Sequence, residues 1–177
     1  MPKTVKKSNA ITASNGLFTV NFELNGVKTE LLTKPGETLL DLLRRSGLRG
    51  TKKGCDTGDC GSCTIILDGK TALSCLMLAV QANGRKVTTI EGLGSPAEPH
   101  PIQTAFVQAG AVQCGFCIPG MILATKALLD KNPSPTEPEI RHALDGNLCR
   151  CTGYVKQVEA VQIAAQALKK QPKKKGK

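Results

Sequence analysis

The spacing of eight cysteines constrains this chain of 177 residues more strongly than any other feature of its sequence. They fall in two local groups of four, and the first group reads C-x4-C-x2-C-x11-C. Three thiols this close in sequence converge only from a loop, because a strand would point neighbouring side chains to opposite faces. Glycines between them suit that loop, since glycine tolerates positive φ and lets backbone N–H groups approach the sulfurs. The stretch therefore predicts a loop around one metal centre, with the candidate ligands Cys55, Cys60, Cys63 and Cys75.

Iron–sulfur chemistry explains this spacing better than zinc or disulfides do. The first three cysteines have the C-x4-C-x2-C spacing of plant-type [2Fe–2S] ferredoxins. Arg49, Lys52 and Lys53 lie just upstream, where they could offset the negative charge of a thiolate-ligated cluster. Structural zinc usually takes paired C-x2-C units, and a disulfide framework would suit a secreted chain. We interpret the loop as an iron–sulfur loop, with zinc as the alternative.

The second group reads C-x2-C-x31-C-x-C and lies at the ends of predicted helices, with the candidate ligands Cys114, Cys117, Cys149 and Cys151. Helix N-termini close to thiolates help to hold negative charge. Zinc is the serious alternative here, because four cysteines alone do not select a metal, although C-x-C is an unusual zinc pair. Phe116 either shields this centre from water or belongs to the core. With eight cysteines available, neither His100 nor His142 is needed as a ligand.

The net charge of +10 belongs to the two ends of the chain. Residues 1–15 and 169–177 together hold nine lysines and no acidic residue, which leaves +1 for residues 16–168. Such tails are typically solvated and disordered, and the five aromatic residues offer few stacking platforms, so we expect no nucleic-acid partner. No apolar stretch suggests a signal peptide or a membrane span. We therefore expect a cytoplasmic chain that is not inserted in a membrane.

Residues 16–91 show the pattern of a small ferredoxin-like domain. Apolar residues alternate on both sides of Asn25-Gly26, which predicts a hairpin, and Thr38 can cap a helix that ends near Ser46. Further short strands are expected at residues 64–67, 70–74 and 86–90, with a short helix from Cys75 to about Asn83. Residues 92–101 are rich in glycine and proline and predict a linker.

A helical period follows the linker. Thr136-x-x-Glu139 is a capping box, and an amphipathic pattern continues to Leu168. Four helices with short connections predict a bundle over residues 102–168. The predicted fold class is α+β: an N-terminal β-grasp, plant-type ferredoxin-like domain followed by a C-terminal four-helix bundle.

Three motifs together resemble the two-cluster iron–sulfur subunit of the xanthine oxidase (molybdenum hydroxylase) family. They are GCDTGDCGSC at residues 54–63, QCGFCIPG at 113–120 and GNLCRCTGY at 146–154, and the resemblance extends over residues 18–168. It implies that each cysteine group binds one [2Fe–2S] cluster. Ile118 stands where the family often has threonine, and the lysine-rich ends are not family features.

The resemblance also implies a role and partners. Such a chain passes electrons one at a time from a molybdenum–pterin centre in a large subunit, through both clusters, to FAD in a medium subunit. It is not catalytic alone, and a heterotrimer or a dimer of heterotrimers is expected. Gln113 and Cys151 would approach the pterin. The alternatives are a free-standing ferredoxin-like carrier and a zinc-stabilised interaction protein.

Overall fold

The computed structural model describes residues 11–170, so residues 1–10 and 171–177 of the predicted disordered ends lie outside it. The described part contains one sheet of six strands and five α-helices, which confirms the predicted mixture of α and β structure. The strands are β1 (Thr12–Ser14), β2 (Leu17–Leu24), β3 (Val27–Thr33), β4 (Thr64–Leu67), β5 (Lys70–Leu73) and β6 (Lys86–Thr88). The helices are α1 (Leu39–Arg45), α2 (Pro101–Gln108), α3 (Ile118–Lys131), α4 (Glu137–Leu144) and α5 (Val155–Lys170).

The sheet is built around β2. Strand β3 pairs with its full length, while β1 and β6 pair with opposite ends of β2, and β4 and β5 continue beyond β6. Among the strand pairings of residues 11–170, that of β2 with β6 is parallel and the others are antiparallel. The strands occupy the first half of the chain, and four of the five helices occupy the second.

Two local predictions were wrong. We assigned no structure to residues 12–14, but Asn15 and Gly16 both adopt positive φ and turn β1 back onto β2. The helix predicted from Cys75 to about Asn83 is instead two turns of 3-10 helix, at Ser74–Leu76 and Ala79–Ala82. The backbone between them is extended, because Met77 accepts a hydrogen bond from the N–H of Leu39 and Leu78 bridges to Thr38.

Helix α1 covers one face of the sheet and reaches the first cysteine group. Thr38 caps it as predicted, since its hydroxyl accepts the N–H of Asp41 at 3.1 Å. Leu39, Leu42 and Leu43 are fully buried in the core between α1 and the sheet. Leu40 is also fully buried, in a small cluster with Cys63 and Cys75.

Strand β4 joins the two halves of the molecule. All four of its residues are buried, which in a short strand indicates that both faces are covered. Ile65 and Leu67 belong to the core under α1, whereas Thr64 lies beside α3 of the helical half. A Cβ added to Gly120 in α3 would lie 3.5 Å from the Cβ of Thr64. The helical half therefore packs directly on the sheet half.

The helical half has its own core, which includes Phe106, Met121, Ile140 and Val161. Residues 93–100, in the stretch predicted as a linker, form neither helix nor strand before α2 begins at Pro101. Within residues 11–170, none of the helices combines the length and the apolar character needed to cross a membrane.

Candidate metal centres

The sheet brings part of the first cysteine group together. Cys63 directly precedes β4 and Cys75 follows β5, and the pairing of Thr64 with Leu73 places both at the same end of the hairpin. Their sulfurs are 3.3 Å apart. The loop before β4 brings the other two cysteines close, because the N–H of Cys60 donates to Cys55 Sγ at 3.4 Å. The first group thus forms two neighbouring pairs of thiols.

Hydrogen bonds to these sulfurs come from the Thr57 side chain and from the backbone N–H groups of Thr57 and Cys60. Hydrogen bonds from Thr57 and from the N–H of Cys60 lower the pKa of Cys55 to about 6. Burial, followed by contact with Cys63, raises the pKa of Cys75 to about 12; a bound metal would deprotonate this thiol. Lys53, which we expected to offset cluster charge, is instead ion-paired with Asp41 and Asp56.

The second group is assembled by the ends of four helices. Cys114 and Cys117 lie between α2 and α3, and Cys149 and Cys151 lie between α4 and α5. The sulfurs of Cys114 and Cys151 are 3.5 Å apart, and the side chain of Cys117 contacts that of Cys149. Cys117 occupies the N-cap position of α3, where the helix dipole favours a thiolate.

The second group has one buried edge and one exposed edge. Burial, followed by contact with Cys149, raises the pKa of Cys117 to about 12. Burial also acts to raise the pKa of Cys149, but hydrogen bonds from Thr152, from the Cys151 N–H and from Cys117 outweigh it, so the pKa is lowered. Contact with Cys114 raises the pKa of Cys151. Cys114 and Cys151 are exposed, and so is Gln113 beside them.

The donor sets fit [2Fe–2S] clusters better than single ions. All eight cysteines are free of disulfides. A tetrahedral metal with bonds of about 2.3 Å separates two sulfurs by roughly 3.7–3.8 Å, slightly more than the 3.3 Å between the sulfurs of Cys63 and Cys75 and the 3.5 Å between those of Cys114 and Cys151. Between residues 11 and 170, no three His, Cys, Asp or Glu side chains meet where one ion could be held. A two-iron cluster divides four thiolates two and two, which is the arrangement that these pairs provide.

The two cysteine groups meet at a tight junction. A cavity of about 510 Å³ is lined by Cys55 and Cys60 and by all four cysteines of the second group. The N–H of Leu148 donates to the carbonyl oxygen of Cys60 at 2.9 Å. Asn147 Nδ2 donates to Gly61 O at 2.9 Å and lies 3.2 Å from Thr64 Oγ1. Neighbours of one cysteine group therefore hydrogen-bond directly to neighbours of the other.

The structure gives the environments of three side chains whose roles the sequence did not determine. Phe116 is 45% exposed and lines the cavity, so the interpretation as a core residue was wrong. His100 caps α2, with Nδ1 accepting the N–H of Ile102, and burial lowers its pKa. His142 is exposed on α4.

Sequence reasoning gave no role to Tyr154 or Gln157. Tyr154 adopts a φ of 68°, and its hydroxyl accepts the N–H of Cys149 at 2.8 Å; no local pattern indicates this. Gln157 is fully buried and hydrogen-bonds to Thr152 and Ala111. The sequence feature that could have identified Gln157 is its position in the apolar stripe of α5. It lies three residues before the buried Ala160 and four before the buried Val161.

Comparison with known families defines the class of protein. Residues 22–86 match the family "2Fe-2S iron-sulfur cluster binding domain", and residues 89–162 match the "[2Fe-2S] binding domain". The chain is thus an iron–sulfur protein with two [2Fe–2S] cluster domains.

Individual relatives narrow the class. The nicotinate dehydrogenase small FeS subunit of Eubacterium barkeri is 51% identical over 150 residues, which cover 84% of this chain and 96% of the relative. The xanthine dehydrogenase iron–sulfur-binding subunit of Escherichia coli O157:H7 is 47% identical over 139 residues, or 77% of this chain and 87% of the relative. The structure of quinoline 2-oxidoreductase from Pseudomonas putida 86 matches with a TM-score of 0.84 at 41% identity, covering 88% of this chain and 98% of that chain. The chain belongs to the iron–sulfur subunits of the xanthine oxidase (molybdenum hydroxylase) family and serves electron transfer in an oxidoreductase.

Proposed function

We propose that this chain connects a molybdenum–pterin centre in a large partner subunit to FAD in a medium partner subunit by way of two [2Fe–2S] clusters. When bound, each cluster supplies one-electron oxidation and reduction, while the chain supplies spacing, shielding and hydrogen bonds. Relatives named as subunits of nicotinate and xanthine dehydrogenases support a heteromeric assembly. A heterotrimer or a dimer of heterotrimers is the assembly we expect.

The two cysteine groups hold the clusters in this proposal. Cys55 with Cys60 and Cys63 with Cys75 form the two halves of the first ligand set. Cys114 with Cys151 and Cys117 with Cys149 form the halves of the second. We further propose that residues 16–91 form a β-grasp domain crossed by α1 and that residues 102–168 form a four-helix bundle. A cytoplasmic location stays a prediction.

One observation carries the electron-transfer role: the hydrogen bond from the Leu148 N–H to the Cys60 carbonyl. Cys60 belongs to the first ligand set, and Leu148 directly precedes Cys149 of the second. A short route therefore runs along the backbone of Cys60, across one hydrogen bond of 2.9 Å, and along the backbone to Cys149. Burial of β4 and the contacts of Asn147 hold this route in place.

The exposed edge of the second group supports our proposal that the second cluster faces molybdenum. Gln113, Cys114 and Cys151 lie at the surface, so a partner can approach them, and the Gln113 amide can both donate and accept hydrogen bonds. Cys63 and Cys75 of the first group are buried. The first group reaches the surface instead through Thr57 and Leu76, which we assign to the side facing the flavin.

Replacing Gln113 by alanine tests this order. In the assembled complex, we expect Gln113→Ala to slow reduction of the clusters by substrate-reduced molybdenum about 5- to 10-fold, the loss expected for one bridging hydrogen bond. Iron content and the later transfer to FAD should stay unchanged. Stopped-flow spectroscopy of a single turnover measures both steps, and Gln162→Ala, an exposed glutamine on α5, is the matched control.

Two results would count against the proposal. If Gln113→Ala slows only the transfer to FAD, the order of the two centres is reversed. If no molybdenum-containing or flavin-containing polypeptide co-purifies with the chain from its native host, a free-standing ferredoxin-like carrier is the better description.

A further inference from the structure

An amide side chain lies between the two segments that supply the second ligand set. Gln157 is fully buried in α5, although its neighbours in the stripe, Ala160, Val161 and Ala164, are apolar. Its Nε2 donates to the carbonyl oxygen of Ala111 at 3.2 Å and also to Thr152 Oγ1. Among the described residues, its Oε1 has no hydrogen-bond partner. A leucine would fill a similar space without burying an unpaired oxygen, so packing alone does not explain the amide.

The orientation of the amide determines where the Thr152 proton points. A backbone carbonyl can only accept, so the nitrogen of the amide must face Ala111. The second N–H of the same nitrogen is then directed at Thr152 Oγ1, which accepts it. The one proton of the Thr152 hydroxyl is left for Cys149 Sγ, at 3.1 Å.

We propose that Gln157 is a positioning residue that fixes the Thr152 hydroxyl as a hydrogen-bond donor to Cys149 and thereby raises the reduction potential of the second cluster. The inference rests on the proposed function, because it assigns Cys149 to that cluster. Hydrogen bonds to cluster sulfurs are one of the factors that set such potentials. Reduction adds negative charge, so a donor fixed at the sulfur stabilises the reduced form more than the oxidised form.

The chain offers a direct set of variants for the test. Gln157→Leu removes the amide, Thr152→Val removes the hydroxyl while keeping its shape, and the double variant removes both. Thr125→Val is the matched control, because Thr125 is a buried threonine of the helical half whose hydroxyl donates to Met121 O, away from the cysteines. The full-length chain, reconstituted with iron and sulfide, is titrated with reductant while the two EPR signals are followed.

In Gln157→Leu, we expect the ratio of reduced to oxidised second cluster at a fixed potential to fall about 3- to 10-fold. A tenfold fall corresponds to a reduction potential lower by about 59 mV, because one electron is transferred. Thr152→Val should lower the reduction potential of the second cluster by at least the same amount. The double variant should match Thr152→Val alone, because the two side chains act in series. The signal of the first cluster and the Thr125→Val control should not move.

Other outcomes separate failure of the inference from failure of the proposed function. Normal cluster content with an unchanged potential in Thr152→Val, or additive shifts in the double variant, would overturn the inference alone. If Gln157→Leu does not fold, the titration of Thr152→Val still tests whether the Thr152 hydroxyl donates a hydrogen bond to Cys149. Gln157→Met then removes the amide with a different apolar side chain. If even the wild-type chain takes up no iron, the proposed function fails and the inference fails with it.

Discussion

We expect Cys60→Ser to abolish one of the two EPR signals of the reduced protein and to leave the other in place. Cys60 belongs to the loop before β4, whereas the second group is held between helices α2 to α5. A serine oxygen is a poor substitute for a soft thiolate ligand. Bound iron should therefore fall by about half, from roughly four atoms per chain to two.

The control for this prediction is Ser62→Ala, because Ser62 lies in the same loop and lines the same cavity without offering a sulfur. Ser62→Ala should keep both signals. Loss of both signals in a Cys60→Ser protein that is still folded would show that the two ligand sets are mixed. Retention of both would show that Cys60 is not a ligand.

The second large effect is expected at Gly61, where the sheet half meets the helical half. A Cβ at this position would lie 1.9 Å from the carbonyl oxygen of Gly146 and 2.8 Å from Asn147 Nδ2, and the backbone has a φ of 68°. The clash is with backbone, so no rotamer change relieves it. We expect Gly61→Ala to destabilise the protein by about 3 kcal/mol or more, through left-handed strain and overpacking together.

Gly69→Ala is the matched control for Gly61→Ala. Gly69 has a similar φ of 82°, but a Cβ there meets nothing within 4 Å, so only the strain of about 1–2 kcal/mol remains. Urea unfolding compares the two variants. In protein that retains both clusters, Gly61→Ala should also weaken the magnetic coupling between them. Equal destabilisation by the two substitutions would mean that the halves are not held together at Gly61.

Local patterns predicted much of the sheet half because its signals are local. Asn25-Gly26 predicted the turn between β2 and β3, and Thr38 predicted the start of α1. The same signal at Asn15-Gly16 was missed, because the strand that precedes it is only three residues long. Residues 75–83 carry a helix-like pattern, but hydrogen bonds to the start of α1 require an extended backbone in their middle.

The junction between the cysteine groups could not be predicted in the same way. The spacing identified eight ligand candidates in two sets, but the contacts of Gly61 with Gly146 and of Cys60 with Leu148 join residues more than 80 positions apart. No periodicity encodes such contacts. The buried amide of Gln157 was visible as a polar interruption of an apolar stripe, but its partners became apparent only when α5 was placed beside the loops at Ala111 and Thr152.

The most direct test of the central claim is the metal and sulfide content of the protein, produced with ample iron and purified without oxygen. Two [2Fe–2S] clusters predict about four iron atoms and about four acid-labile sulfides per chain, with two distinguishable EPR signals after reduction. Stoichiometric zinc in place of iron, without labile sulfide, would contradict the account.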